Sequence, residues 1–190
     1  MKRVLKFRFL RYLEYICWVS GIVALLYFAL AWRSSTVFQA EAAKRFETVH
    51  RSSIQRGNPE RGDPFGRITI PRIGRSAIIE EGVDDATLRH AVGHFPQSAR
   101  PESLGTVALA AHRDTFFRGL GQLRRGDLIM LETARGKYTY QVVRSTVVKP
   151  QHIEVVKSSS DSDLTLVTCF PFHYIGAAPD RFIVQAMRLP

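Results

Sequence analysis

From Phe65 to its end the chain is written in short alternating runs. Residues 66–74 (GRITIPRIG) and 76–83 (SAIIEEGV) alternate apolar and polar positions with period two, and a glycine turn separates them. Residues 84–93 (DDATLRHAVG) read as a short helix, with Asp84 as N-cap and Gly93 closing it. Residues 105–112 (GTVALAAH) form a buried strand, and 127–148 form a hairpin turning about Ala134-Arg135-Gly136-Lys137. Two more alternating runs, 163–169 (DLTLVTC) and 181–189 (RFIVQAMRL), complete the set. Seven or eight short strands with few helices and no βαβ rhythm predict an all-β barrel or sandwich.

The first third of the chain follows a different pattern. Residues 15–32 (YICWVSGIVALLYFALAW) are eighteen positions without a charge. At about 1.5 Å per residue, such a helix approaches the thickness of a bilayer core. Tyr15, Trp18, Tyr27 and Trp32 lie mostly toward its ends, as interfacial aromatics do. A cleaved signal peptide has a shorter core and an A-x-A site, and the Ala-Leu-Ala-Trp-Arg here is a poor one. An uncleaved anchor over 15–32 is the expectation. A polar juxtamembrane helix over 37–50 and a Gly/Pro/charge-rich linker over 51–64 lead into the compact domain, 65–190.

Charge gives this anchor an orientation. The chain carries a net +10, but residues 1–64 hold 11 basic against 5 acidic side chains and residues 65–190 hold 16 against 12. Lys2, Arg3, Lys6, Arg8 and Arg11 precede the apolar run, in a tail spanning 1–14, and Arg33 alone follows it closely. The positive-inside rule then puts the N-terminus in the cytoplasm and the domain outside the plasma membrane. No basic stripe with interleaved aromatics runs through the domain, which argues against a nucleic-acid partner.

That orientation sharpens the reading of Cys169. The only other cysteine, Cys17, lies inside the apolar run, so Cys169 has no internal disulfide partner. In an extracytoplasmic domain a leftover thiol is either a small buried hydrophobe or a reactive group. Its surroundings favour reactivity. The runs 163–169 and 181–189 are joined too tightly for a crossover helix, so they pair antiparallel and bring Cys169 beside Arg181. Residues 105–112 end their strand on His112. A parallel relation between that strand and 163–169 would place all three groups at one rim, although alternation alone does not supply it. An imidazole can take and return the thiol proton, and a fixed guanidinium can stabilise the oxyanion of acyl transfer.

The segments ALAAHRDTFFRGL and TLVTCFPFHYIGAAPDRFIV, together with the N-terminal anchor, resemble the sortases, membrane-anchored cysteine transpeptidases of the bacterial cell surface, and class D among them. The resemblance implies an eight-stranded β-barrel in which the His and Cys strands run parallel. It implies His112 as general acid/base, Cys169 as nucleophile and Arg181 as the cation serving the oxyanion or substrate. It also implies secreted substrates with an LPxTG-like C-terminal motif, and an amine acceptor from a peptidoglycan precursor or a pilin lysine. Two positions depart from the family pattern. Ala111 stands where a glycine usually precedes the histidine, and Leu104-Gly105-Thr106 replaces the usual Gly-Asn pair.

Other residues carry weaker signals. His94 either lines a substrate groove or has a structural role at its turn. Asp114 either orients the imidazole as a third triad member or caps the turn 115–120. Thr168 adjoins the nucleophile, and His173 and Tyr174 lie between the last two strands as candidate substrate contacts. Phe116 and Phe117 anchor the segment after His112, while His50, His90 and His152 read as surface or packing residues. The HRD triplet 112–114 lacks the asparagine of a kinase loop, since Gly119 stands there. No H-x-x-x-H or C-x-x-C spacing occurs, so neither metal nor cofactor is expected. The competing functions are a strictly hydrolytic cysteine protease and a non-catalytic peptide-binding barrel.

Overall fold

The computed structural model describes residues 14–27, 61–151, 163–174 and 176–190. Residues 14–27 form one helix, α1, in a unit separate from that spanning Glu41–Pro190. All its residues are exposed. No helix among the described residues is long and apolar enough to cross a membrane. Residues 28–32 of the apolar run lie outside the described residues, as do most of the basic tail, the juxtamembrane segment 37–50 and most of the linker.

The second unit is a closed barrel of eight strands: β1 (Pro64–Ile70), β2 (Arg75–Glu81), β3 (Val92–His94), β4 (Val107–Ala110), β5 (Leu128–Thr133), β6 (Gly136–Val148), β7 (Asp163–Phe170) and β8 (Asp180–Arg188). Around the barrel they run β1-β2-β3-β4-β7-β8-β6-β5, and β5 returns to β1. Two pairs, β2–β3 and β4–β7, are parallel, and the others are antiparallel. The parallel β4–β7 pair is the relation that the family resemblance implied and alternation could not supply. Closure removes free sheet edges.

Period-two alternation sorts each strand between two faces. Ile68, Leu109, Ile129, Leu131, Leu164, Leu166 and Val184 point inward and form the main core. Ala110, Val167 and Ile183 form a second cluster, which Val83, Leu88, Phe95 and Val148 pack against. This cluster lies on the outer face, because each of its strand members alternates with a core residue. Register makes it one continuous row, Gly93–Ala110–Val167–Ile183, across β3, β4, β7 and β8.

The predicted helix over 84–93 is corrected to a single turn. Helix α2 spans Asp85–Leu88, and residues 92–94 belong to β3 instead. Asp84 does cap it, accepting from the amides of Ala86 at 3.0 Å and Thr87 at 3.1 Å. The Thr87 amide chiefly, with help from Arg61, holds the Asp84 carboxyl below its ordinary value. Gly93 is not a helix terminator. A Cβ there would sit 2.3 Å from the Gly82 carbonyl oxygen and 2.9 Å from Leu88 Cδ2. Only glycine allows β3 to pass beneath α2 at that separation.

Candidate active site

Three adjacent strands end at the same pole of the barrel, and their register builds the site rung by rung. Ala110, Val167 and Ile183 form an outward rung, and the pairing of β7 with β8 puts Thr168 against Phe182 and Cys169 against Arg181. Ala111 and Phe182 belong to the main core, so this second rung points inward. Alternation then returns His112, Cys169 and Arg181 to the outer face as a third rung. All three predicted residues are brought to one rim, each only partly exposed.

The backbone just before His112 is fixed by β7. The Ala111 amide donates to the Val167 carbonyl at 3.3 Å, and Thr168 Oγ1 donates to the Ala111 carbonyl at 2.7 Å. Thr168 is 2% exposed, so this hydroxyl is structural and serves the site from beneath. Beyond His112 its own carbonyl accepts from the amides of Thr115 at 3.4 Å and Phe117 at 3.2 Å. Phe117 is buried in the core and Phe116 packs against it, anchoring the segment as expected.

Cys169 sits above an aromatic plug. Phe170, Phe172 and Phe182 close the pole with ring centroids 5.2–6.1 Å apart. Such packing holds the strand end that carries Cys169. Arg181 Nη1 donates to the carbonyls of Ala178 at 3.2 Å and Asp180 at 2.9 Å. Both bonds leave from one nitrogen, so Nε–H and Nη2–H are the donors left for a substrate oxygen among the described residues. Lys149 Nζ lies 2.7 Å from Asp180 Oδ1, taking up the carboxylate that adjoins Arg181.

The secondary candidates sort differently. His94 lies opposite Leu109 on the inner face, 1% exposed, and lines no outer groove. Its Nδ1 faces both Glu81 carboxylate oxygens at 3.1 and 3.2 Å, and its Nε2 faces the Ala99 carbonyl and Ser98 Oγ, each at 3.0 Å. That environment is the structural alternative. Asp114 is exposed, and among the described residues its carboxylate has neither hydrogen bond nor ion pair, so it neither caps the turn nor orients an imidazole here. His173 and Tyr174 are exposed in the β7–β8 connection, on the same rim. His90, read as a surface or packing residue, pairs with the buried Glu80 at 3.0 Å.

One residue escaped the sequence reading. Arg113, next to His112, reaches across to the β7–β8 connection and donates to the carbonyls of Pro171, Tyr174 and Gly176. Backbone carbonyls have no sequence signature, so nothing in the one-dimensional pattern announces such a partner.

Comparison with known proteins agrees with this architecture. A family model described as the Sortase domain matches residues 68–189. Sortase D of Bacillus subtilis (strain 168) is 36% identical over 132 residues, which cover 69% of this chain and 67% of that protein. Among solved structures, a Clostridium perfringens Sortase D5 transpeptidase superposes with a TM-score of 0.69 at 26% identity, covering 82% of this chain and 98% of that one. The catalytic domain of B. anthracis SrtD gives 0.61 at 35% identity, over 72% of this chain and 94% of that one.

A closed eight-stranded barrel carrying Cys, His and Arg at one pole is the arrangement of a cysteine acyl-transfer enzyme. The chain belongs to the sortase family and is a sortase-type cysteine transpeptidase, most like class D.

Proposed function

We propose that Cys169, His112 and Arg181 carry the transpeptidation, as nucleophile, general acid/base and oxyanion donor. The observation that carries this assignment is the third rung of the barrel pole, where Cys169 and Arg181 are direct cross-strand partners and His112 follows two residues after the end of the neighbouring strand β4. Cys169 Sγ attacks the carbonyl carbon of the scissile peptide bond, and an unused Arg181 N–H meets the oxygen that gains charge. As the tetrahedral species collapses, the C–N bond breaks and His112 delivers a proton to the departing amine. The thioester that remains is attacked by an incoming amine, which gives its proton to His112 while the thiolate leaves. Water in the same role gives a carboxylic acid, a slower side reaction.

The outer-face row of Ala110, Val167 and Ile183 is buried against Val83, Leu88, Phe95 and Val148, and it braces the strands that lead to the three residues. Membership of the sortase family supports, as substrate, an extended LPxTG-like sorting motif near the C-terminus of a secreted protein. The acceptor is an amine of a peptidoglycan precursor or a pilin lysine. Residues 15–32 anchor the chain in the plasma membrane as one uncleaved span, with the basic tail cytoplasmic and the barrel, from residue 65, extracytoplasmic. The charge-free length of that segment and the basic residues before it support this placement.

The test is to incubate full-length protein in detergent with an LPxTG-type peptide and a small amine, and to weigh the products. The expected product is the new amide, absent with Cys169→Ala. Acid alone at saturating amine would favour the strict protease, and an unchanged panel of related peptides would favour a binding barrel.

A further inference from the structure

The β7–β8 connection joins the nucleophile to the oxyanion donor, since it leaves from Cys169 and re-enters the sheet at Arg181. Its two ends are secured by their own side chains. Phe170 and Phe172 pack on the core at the first end, and Arg181 holds the Ala178 carbonyl at the second. The middle carries His173, Tyr174, Gly176 and Ala177, all exposed. Exposed side chains and a glycine bury little that would fix one conformation.

Arg113 supplies that missing anchor. Its Nη1 donates to the Pro171 carbonyl at 3.1 Å, and its Nη2 donates to those of Tyr174 at 2.6 Å and Gly176 at 3.2 Å. The guanidinium carbon also stands 5.9 Å from the centroid of the Tyr174 ring. One planar fork therefore gathers three carbonyls of the connection onto the residue that follows His112. A lysine could not do this, because a single ammonium on a flexible stem cannot present two fixed nitrogens to three acceptors.

We infer that Arg113 is a positioning residue that sets the β7–β8 connection as a fixed wall beside Cys169, and that this wall governs whether the thioester is resolved by an amine or by water. The inference rests on the transpeptidase assignment above. An amine acceptor must be held in line with the thioester carbonyl, whereas water needs no such seat. Freeing the wall removes the seat and leaves the thiol, imidazole and Arg181 in place. The fork thus acts on the partition of the second step more than on the formation of the acyl-enzyme.

The experiment compares full-length wild type, Arg113→Lys and Arg113→Gln in detergent, reading three quantities. Single-turnover acylation of Cys169 by an LPxTG-type peptide is expected to change by less than about threefold. The ratio of amide to acid at fixed small amine is expected to fall by roughly tenfold, within the range that small misplacements at a reacting centre cost. Amide hydrogen exchange over 171–180 is expected to quicken in both variants while the strands keep wild-type protection. An unchanged partition with unchanged exchange overturns the proposal, as does an equal loss of acylation and transfer, or a failure of both variants to fold. A wild type that forms no acyl-enzyme counts against the transpeptidase assignment instead, and the exchange measurement still tests the anchor.

Discussion

The Thr168 hydroxyl donates a 2.7 Å hydrogen bond to the carbonyl of Ala111, tying the residue before Cys169 to the residue before His112. Neither partner faces substrate. The bond lies inside the barrel, one rung beneath His112 and Cys169, and fixes the offset between two strand ends that are far apart in sequence. Replacing Thr168 with valine keeps the shape and leaves the Ala111 carbonyl buried without that donor. A loss of about 1–3 kcal/mol of stability is expected, with slower acylation, and Thr168→Ser restores both. Urea midpoints and single-turnover acylation of the three proteins check it. A valine variant with wild-type acylation would show that the offset is held by something else.

Arg181 uses only Nη1 for the carbonyls of Ala178 and Asp180, and its other N–H groups are the donors proposed for the oxyanion. Arg181→Lys keeps the charge but not the second pair of N–H groups. Acylation is expected to fall by roughly 10²–10³, the cost of losing one such donor, while the fold is retained. Stopped-flow acylation with circular dichroism on the same samples is the check, and a loss under about threefold would remove Arg181 from the oxyanion role.

Glu80 gives the barrel a pH signature independent of the site. Burial raises its carboxyl above the ordinary 4.5, and His90, 3.0 Å away, opposes that shift in part. The folded state thus holds this proton more tightly than the unfolded chain. Its stabilising contribution is complete below about pH 4.5 and is lost as pH rises through the raised folded value. Glu80→Gln removes the dependence, so the variant should gain on wild type between pH 4 and pH 7. Melting temperatures at both values decide it; a gap that is constant or reversed would contradict the direction.

Gly93 is required by the path of β3 beneath α2. Alanine there meets the Gly82 carbonyl oxygen at 2.3 Å, a backbone atom that cannot swing aside. Gly93→Ala should destabilise the barrel by at least ~1–3 kcal/mol, read as a lower urea midpoint at unchanged slope. A neutral substitution would mean that β3 is free to shift.

What the sequence made legible followed from how local each signal is. The β5–β6 hairpin, the Asp84 cap and the facing of Cys169 and Arg181 all depend on neighbours in the chain, and each was readable. The strand β3 was not, because three residues with a central glycine give no alternation, and the same glycine imitates a helix stop. The parallel β4–β7 pair joins segments more than fifty residues apart, and only the family resemblance supplied it. Arg113 was invisible for a related reason: its acceptors are carbonyls 58 to 63 positions away, and any residue type carries a carbonyl.

The most direct test of the central claim is intact-protein mass spectrometry, quenched in acid soon after mixing full-length protein with an LPxTG-type peptide. The expected result is a mass increase equal to the acyl portion, mapped by digestion to Cys169, discharged as an amide when an amine is added, and strongly slowed in His112→Ala. Peptide cleavage that persists in Cys169→Ala, or an acyl group mapped to any other residue, would contradict it.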